Sequence, residues 1–159
     1  MEINDKKLEE IKQKSKEEYS KIGRTWCPYL EDYVYFNKEG FEHLLFKTWN
    51  RGRSKLEQYT RLRLLALVPG IIAKTHTLQE YDERNILVRQ KTNSRWEKRM
   101  KLVRYYVFIS IVKEVRLKII VKKIDGGNKF FYSLYPSWRV IEKDGQSKKI
   151  FYSGNLEIE

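Results

Sequence analysis

The 159-residue chain holds two histidines, His43 and His76, and the first stands where an imidazole could act on a phosphate. A helix opening at Asn37 places His43 and Lys47 four residues apart, one above the other on one face, with Arg51 next in line if the helix persists. Successive residues turn by about 100°, so Phe41, Leu44 and Leu45 fall on the opposite side and give the helix an apolar back and a cationic front. Gly52 is the expected stop. Ser54 and Glu57 then have the spacing of a capping box and open a second helix that adds Lys55, Arg61 and Arg63. One helical hairpin thus carries an imidazole inside a cluster of cations.

Such a cluster suits cleavage of RNA without a metal. The neighbouring 2′-hydroxyl is the nucleophile, so the protein supplies only a base, an acid for the leaving 5′-oxygen and cations for the phosphorane. His43 can be base or acid near neutral pH; Lys47 lowers its proton affinity and a bound phosphate restores it. Lys47, Arg51 and Arg53 can neutralise developing charge, the arginines by a forked contact, and Ser133 on a strand can donate to a non-bridging oxygen. The aromatic run Phe130, Phe131, Tyr132, Tyr135 and Trp138 is mostly core and rim, with one or two rings, Tyr135 among them, able to stack on bases. Each residue also has a plainer reading: His43 as a surface histidine, the cations as solvated charges, Ser133 as a cross-strand partner.

Thirty-three Lys and Arg against 21 Asp and Glu leave a formal +12, which favours a polyanionic partner and nucleic acid first, without choosing RNA or DNA. The alternative is a small protein kept basic for solubility. Seven Phe, eleven Tyr and four Trp argue for a folded chain, and the length suits a single domain: an N-terminal helix over residues 1–22, a core over 24–140, and a C-terminal strand or tail over 141–159. Cys27 is alone, so neither a disulfide framework nor a zinc quartet is expected. Glu80, Asp82 and Glu83 sit in a polar run that reads as a solvated loop rather than a metal site, and Gly126-Gly127 lacks the spacing of a nucleotide fingerprint. No metal and no cofactor are implied. The charged N-terminus lacks the apolar core of a signal peptide, and the apolar runs at 64–73 and 105–112 are too short to span a bilayer; the expectation is a reduced, cytoplasmic protein without membrane contact.

Residues 5–21 read as an amphipathic helix, broken at Trp26-Cys27-Pro28, and Tyr33 to Phe36 as a short strand. The helix from Ser54 to about Thr75 should bend or break at Pro69, leaving His76 at its end. From residue 85 the period changes to two, with strands expected at 85–91, 103–113, 116–123, 129–135 and 149–153, a tight connection at Lys113-Glu114 and a hairpin turn at Asp125 to Asn128. Helices followed by strands indicate an α+β fold, N-terminal helices packed on a C-terminal antiparallel sheet of four to five strands.

Cys27-Pro28-Tyr29-Leu30, Val34-Tyr35-Phe36-Asn37, Gly40, His43-Leu44, Lys47, Arg51 to Ser54, Glu57 and Arg61-Leu62 resemble the helical half of small bacterial and phage proteins of the barnase, EndoU, colicin and RelE-like (BECR) nuclease fold. Val88-Arg89-Gln90, Tyr105 to Phe108, Val115 to Val121 and Lys129 to Pro136 are similar to its strands, so the resemblance spans roughly residues 24–140. It implies a metal-independent endoribonuclease, a toxin acting on tRNA or mRNA, with an antitoxin or immunity protein as a further partner. His43, Lys47 and Ser133 match best, followed by Arg53, Arg61 and Arg89. The implied roles are His43 as acid/base, Lys47 and Arg53 as phosphate cations, Ser133 as oxyanion donor, and Arg89 as substrate clamp beside Arg51, Arg61 and Tyr135. Two other functions fit the same residues: a non-catalytic nucleic-acid-binding module, or a phage or bacterial protein-interaction component.

Overall fold

Three polar side chains start the three main helices. In the computed structural model, which describes residues 2–137, 139–141, 147–149 and 155–159, Asn4 caps helix α1 (Asp5–Ser20), Asn37 caps α2 (Lys38–Leu45) and Ser54 caps α3 (Lys55–Leu64). The Ser54–Glu57 capping box forms with both hydrogen bonds in place. A 3₁₀ turn (Leu65–Leu67) then separates α3 from α4 (Val68–Ala73), with Pro69 in the first turn of α4, where its missing N–H leaves nothing unsatisfied. The break expected at Pro69 is therefore present.

The strands are β1 (Arg24–Cys27), β2 (Asp32–Tyr35), β3 (Phe46–Thr48), β4 (Arg51–Gly52), β5 (Glu80–Thr92), β6 (Arg95–Val112), β7 (Val115–Ile124), β8 (Lys129–Pro136), β9 (Arg139–Ile141) and β10 (Ser147–Lys149). Six form one sheet in the order β1-β2-β8-β7-β6-β5, antiparallel throughout except where β2 meets β8 in parallel at Tyr35↔Phe130. The fold is α+β with a mostly antiparallel sheet. It differs from the expected order, because β1 and β2 lie between α1 and α2 and extend the sheet beyond five strands. The reason is the aromatic pairing Trp26↔Tyr33 around a turn that Glu31 completes with φ 49°. Glu80 to Arg84, expected as a loop, is strand: its polar residues pair with Val103 to Val107, and that pairing overrides a weak local preference. The Lys113-Glu114 turn forms as expected, both residues in the left-handed region that matches hairpin twist. Of the expected strand at 149–153, residues 150–153 lie outside the described residues, as does Trp138.

Over β7 and β8 both faces of the sheet are covered. On β7, Leu117, Ile119 and Val121 meet Leu44, Leu62, Leu65, Val68 and Ile72 of the helices. Ile120 faces the other way, into a second core with Tyr105, Phe130, Tyr132, Tyr135 and Leu156. Helix α2 packs at the edge of β8 where the ladder to β2 stops, and Gly40 makes the approach possible, since a Cβ there would overlap the Phe131 carbonyl oxygen. Gly40→Ala is expected to cost about 3 kcal/mol or more in urea unfolding, the upper end of overpacking penalties; a cost below about 1 kcal/mol would show that α2 is not held so closely. Among the described residues no helix is long and apolar enough to cross a membrane.

Candidate anion-binding site

The helix carrying His43 ends sooner than its spacing suggests. Phe46 turns extended (φ −128°, ψ 138°) and pairs with Gly52 in the small β3–β4 hairpin, so Lys47 does not stack on His43 along a helix, and Gly52 ends no helix. His43 is also not on a solvent face. Because α2 straddles the sheet edge, Phe41 and Leu44 enter the helix-side core while His43 is buried on the other side, its ring stacked on Tyr132 with centroids 4.0 Å apart. Lys47 is half-buried and borders, with His43, Trp49, Tyr132 and Glu157, an open cleft of about 570 Å³.

Behind this cleft Arg53, Arg61, Ser133 and Tyr135 converge on His43. The Arg53 guanidinium donates from Nε to the His43 carbonyl oxygen at 2.9 Å and lies with Nη2 3.1 Å from His43 Nε2. A guanidinium can only donate, so His43 Nε2 presents its lone pair and the ring proton sits on Nδ1. Arg61, on the buried side of α3, donates to Ser133 Oγ at 2.8 Å and to the Leu134 carbonyl oxygen at 3.0 Å. Ser133 reaches this point through a bulge in β8: Ile120 pairs with Ser133 and Val121 with Phe131, leaving Tyr132 as the extra residue, so Tyr132 and Ser133 both serve the inner face. Tyr135 adds its hydroxyl two residues along.

What these donors hold is the chain's own segment 155–159. The main-chain oxygen of Glu159 accepts from Arg61 Nη1 at 2.5 Å, Ser133 Oγ at 2.8 Å and Arg53 Nη2 at 3.0 Å. Arg53 Nη2 also donates to the Ile158 carbonyl oxygen at 3.1 Å, and Tyr135 to Glu159 Oε2 at 2.7 Å. Two buried lysines complete the setting: Lys118 lies 3.6 Å from Glu159 Oε2 and 2.9 Å from Glu80, and Lys122 lies 3.0 Å from Glu157, whose carboxylate also takes the Tyr105 hydroxyl. Neither lysine was among the expected site residues. Their signal was the two-residue period of a strand, which puts Lys118 and Lys122 on the same face as Ile120.

Burial, then Arg53, Arg61 and Lys122, push the His43 imidazole down to about 2, while burial and Arg53 push the Arg61 guanidinium down to about 9, still charged near neutrality. Burial and the nearby carboxylates hold the Tyr132 and Tyr135 protons on well above the usual phenol range. The fold therefore keeps His43 neutral where an unfolded chain protonates it below about 6.5. The unfolded state binds the extra proton, so this contribution to stability is complete above pH 6.5 and is lost on acidification toward pH 2. Between pH 6.5 and 5 wild type should lose about 1.6 kcal/mol more than His43→Gln, the slope approaching about 1.4 kcal/mol per pH unit only below 6.5. Equal losses in urea unfolding at the two pH values would show that His43 is not held neutral.

Of the expected residues, His43, Arg53, Arg61, Ser133 and Tyr135 come together and Lys47 borders the same cleft. Arg51 does not join them; it is exposed on β4. Arg89 does not either: it lies far along β5, its guanidinium 4.8 Å from the Trp96 ring centroid, because β5 and β6 continue well past the point where β7 ends. Among the described residues no group of His, Cys, Asp and Glu is arranged to hold a metal. Comparison with protein-family models, with curated proteins and with solved structures finds no match to this chain.

Proposed function

We propose that this cradle takes a phosphodiester of RNA and that the chain is a metal-independent endoribonuclease of the BECR type. The observation that carries the reading is one oxygen receiving three buried donors, from Arg53, Arg61 and Ser133. Three fixed donors on one oxygen suit a charged phosphoryl oxygen, whose charge-assisted bonds are the stronger ones. In this reading Glu159 stands where the phosphate goes, Arg61 and Ser133 hold a non-bridging oxygen, and Tyr135, with its proton retained, is the acid toward the leaving oxygen. Arg53 moves onto the phosphate and thereby frees the His43 lone pair to serve as base for the 2′-hydroxyl. Lys47 and Trp49, the latter 92% exposed beside the cleft, meet the flanking nucleotides.

The expected result is RNA cleavage in EDTA that leaves 2′,3′-cyclic phosphate ends, with His43→Ala slower by about 10²- to 10⁴-fold, the range for losing a general acid or base. Cleavage abolished by EDTA, or unaffected by His43→Ala, would contradict it. One observation favours a second reading, a nucleic-acid-binding module without catalysis: as found, His43 is a weak base whose lone pair Arg53 already engages. That reading gives salt-dependent RNA binding, no cleavage, and an affinity indifferent to His43→Ala.

A further inference from the structure

We infer that the two-stranded arm formed by residues 85–102 is a separate contact for single-stranded nucleic acid, made by its outer face. β7 ends at Ile124, opposite Val103. Beyond that point β5 and β6 continue with each other alone, from Asn85↔Leu102 to Thr92↔Arg95, a reach of about 26 Å at roughly 3.3 Å per residue. Arg89, Lys91, Arg95, Lys98, Arg99 and Lys101 stand there against one carboxylate, Glu97, which is a net +5 of the chain's +12.

The pairing of these cations differs from that in the body of the sheet. There, Lys118, Lys122, Lys129, Arg84 and Arg104 each face a carboxylate, and among the described residues Arg24, Arg116 and Lys123 are the exceptions. On the arm Arg99 has Glu97 at 2.9 Å, but among the described residues no carboxylate lies within ion-pair reach of Arg89, Lys91, Arg95 or Lys98.

Directly opposite residues share a face, so the outer face reads Leu87 with Met100, Arg89 with Lys98, and Lys91 with Trp96. Leu87, Trp96 and Met100 are 59%, 60% and 66% exposed, and the Arg89 guanidinium covers one side of the indole. The inner face leans instead on the turn after β7, with Lys101 donating to the Asp125 carbonyl oxygen at 3.4 Å. Cations spaced along a ribbon with an exposed indole between them match a single strand, which offers phosphates to the charges and an unstacked base to the ring. A duplex offers the phosphates but hides its base faces, leaving Trp96 and its apolar neighbours unused.

The proposed function enters only in naming RNA as the polymer. The test is fluorescence anisotropy with a labelled single strand of about 20 nucleotides, 2′-O-methylated so that cleavage cannot intervene, with circular dichroism confirming that each variant folds. Arg89→Gln, Lys91→Gln and Lys98→Gln together should weaken binding at least tenfold and reduce the salt slope by about 2, at roughly 0.7 per lost phosphate contact. Trp96→Ala should weaken binding about tenfold with the slope unchanged. Identical affinity and slope in wild type and the triple variant would overturn the assignment, as would tighter binding of the matching duplex or displacement of the strand by an equal charge of poly-L-glutamate. Failure of the cradle reading looks different: arm-dependent binding persists and cleavage is absent.

Discussion

Arg61→Ala is expected to slow RNA cleavage by about 10²- to 10³-fold, the range measured for loss of one oxyanion donor, with a smaller effect on folding. Arg61 is buried on α3 and spends its guanidinium on Ser133, the Leu134 carbonyl oxygen and the oxygen of Glu159. Its removal leaves the Leu134 acceptor unsatisfied, a cost of about 1–3 kcal/mol. Against that stands relief: the desolvation of a buried cation and its repulsion by Arg53, the two influences that depress its pKa, both disappear. Arg61→Lys should not restore activity, because all three contacts come from Nη1, one bond beyond the point that a lysine ammonium reaches. A residue kept only for packing would behave oppositely, with a large fall in stability and activity following the folded fraction. Parallel urea unfolding and single-turnover cleavage of the same preparations separate the two.

Removal of residues 155–159 is expected to raise RNA affinity at least tenfold while lowering thermal stability. These residues bring two carboxylates and two main-chain oxygens to Arg53, Arg61, Lys118, Lys122 and Tyr135, and Leu156 fills part of the second core. An intramolecular ligand on the site multiplies the intrinsic affinity for RNA by the fraction of molecules in which it has left, so tenfold corresponds to a site open about a tenth of the time. Stability moves the other way, because Leu156 is lost and the cations beneath it lose part of their counter-charge, Lys118 keeping Glu80 and Lys122 keeping Glu39. Glu157→Gln with Glu159→Gln in the full chain keeps the main-chain oxygens and should give an intermediate gain. Opposite movement of stability and affinity is the signature of a segment that both completes the fold and occupies the site. A fall in both would mean that residues 155–159 are structural only.

The parts of this site that could be read in the sequence are those fixed by local chemistry. Asn37 and Ser54 cap helices because their side chains reach N–H groups three residues on, and β7 declares its two faces by alternation. Arg53 and Ser133 were expected from residue type and placement and Arg61 from the resemblance, and the three meet. Interactions between distant residues left no such mark. The α2 stop at Leu45 depends on Phe46 pairing with Gly52, a local hairpin that outcompetes one more helical turn. The burial of His43 depends on α2 crossing the sheet edge, where the side opposite the apolar stripe is covered as well. The bulge at Tyr132 follows from a register against β7, and the docking of Glu159 on Arg61 joins residues 98 positions apart. The Leu156-Glu157-Ile158-Glu159 alternation fits an edge strand or a loose tail equally well. Only the waiting cations decide where it goes.

The most direct test is a nuclear magnetic resonance titration of the full chain with a short 2′-O-methylated RNA, following the backbone amides of residues 155–159 together with Ser133 and the Arg53 and Arg61 side chains. If the cradle is the phosphodiester site, RNA should shift Ser133 and both guanidinium groups and move the 155–159 amides toward the positions of an undocked peptide, all with one saturation curve. If RNA binds while residues 155–159 and the Arg53, Arg61 and Ser133 signals stay where they are, the cradle is not the site and the account fails.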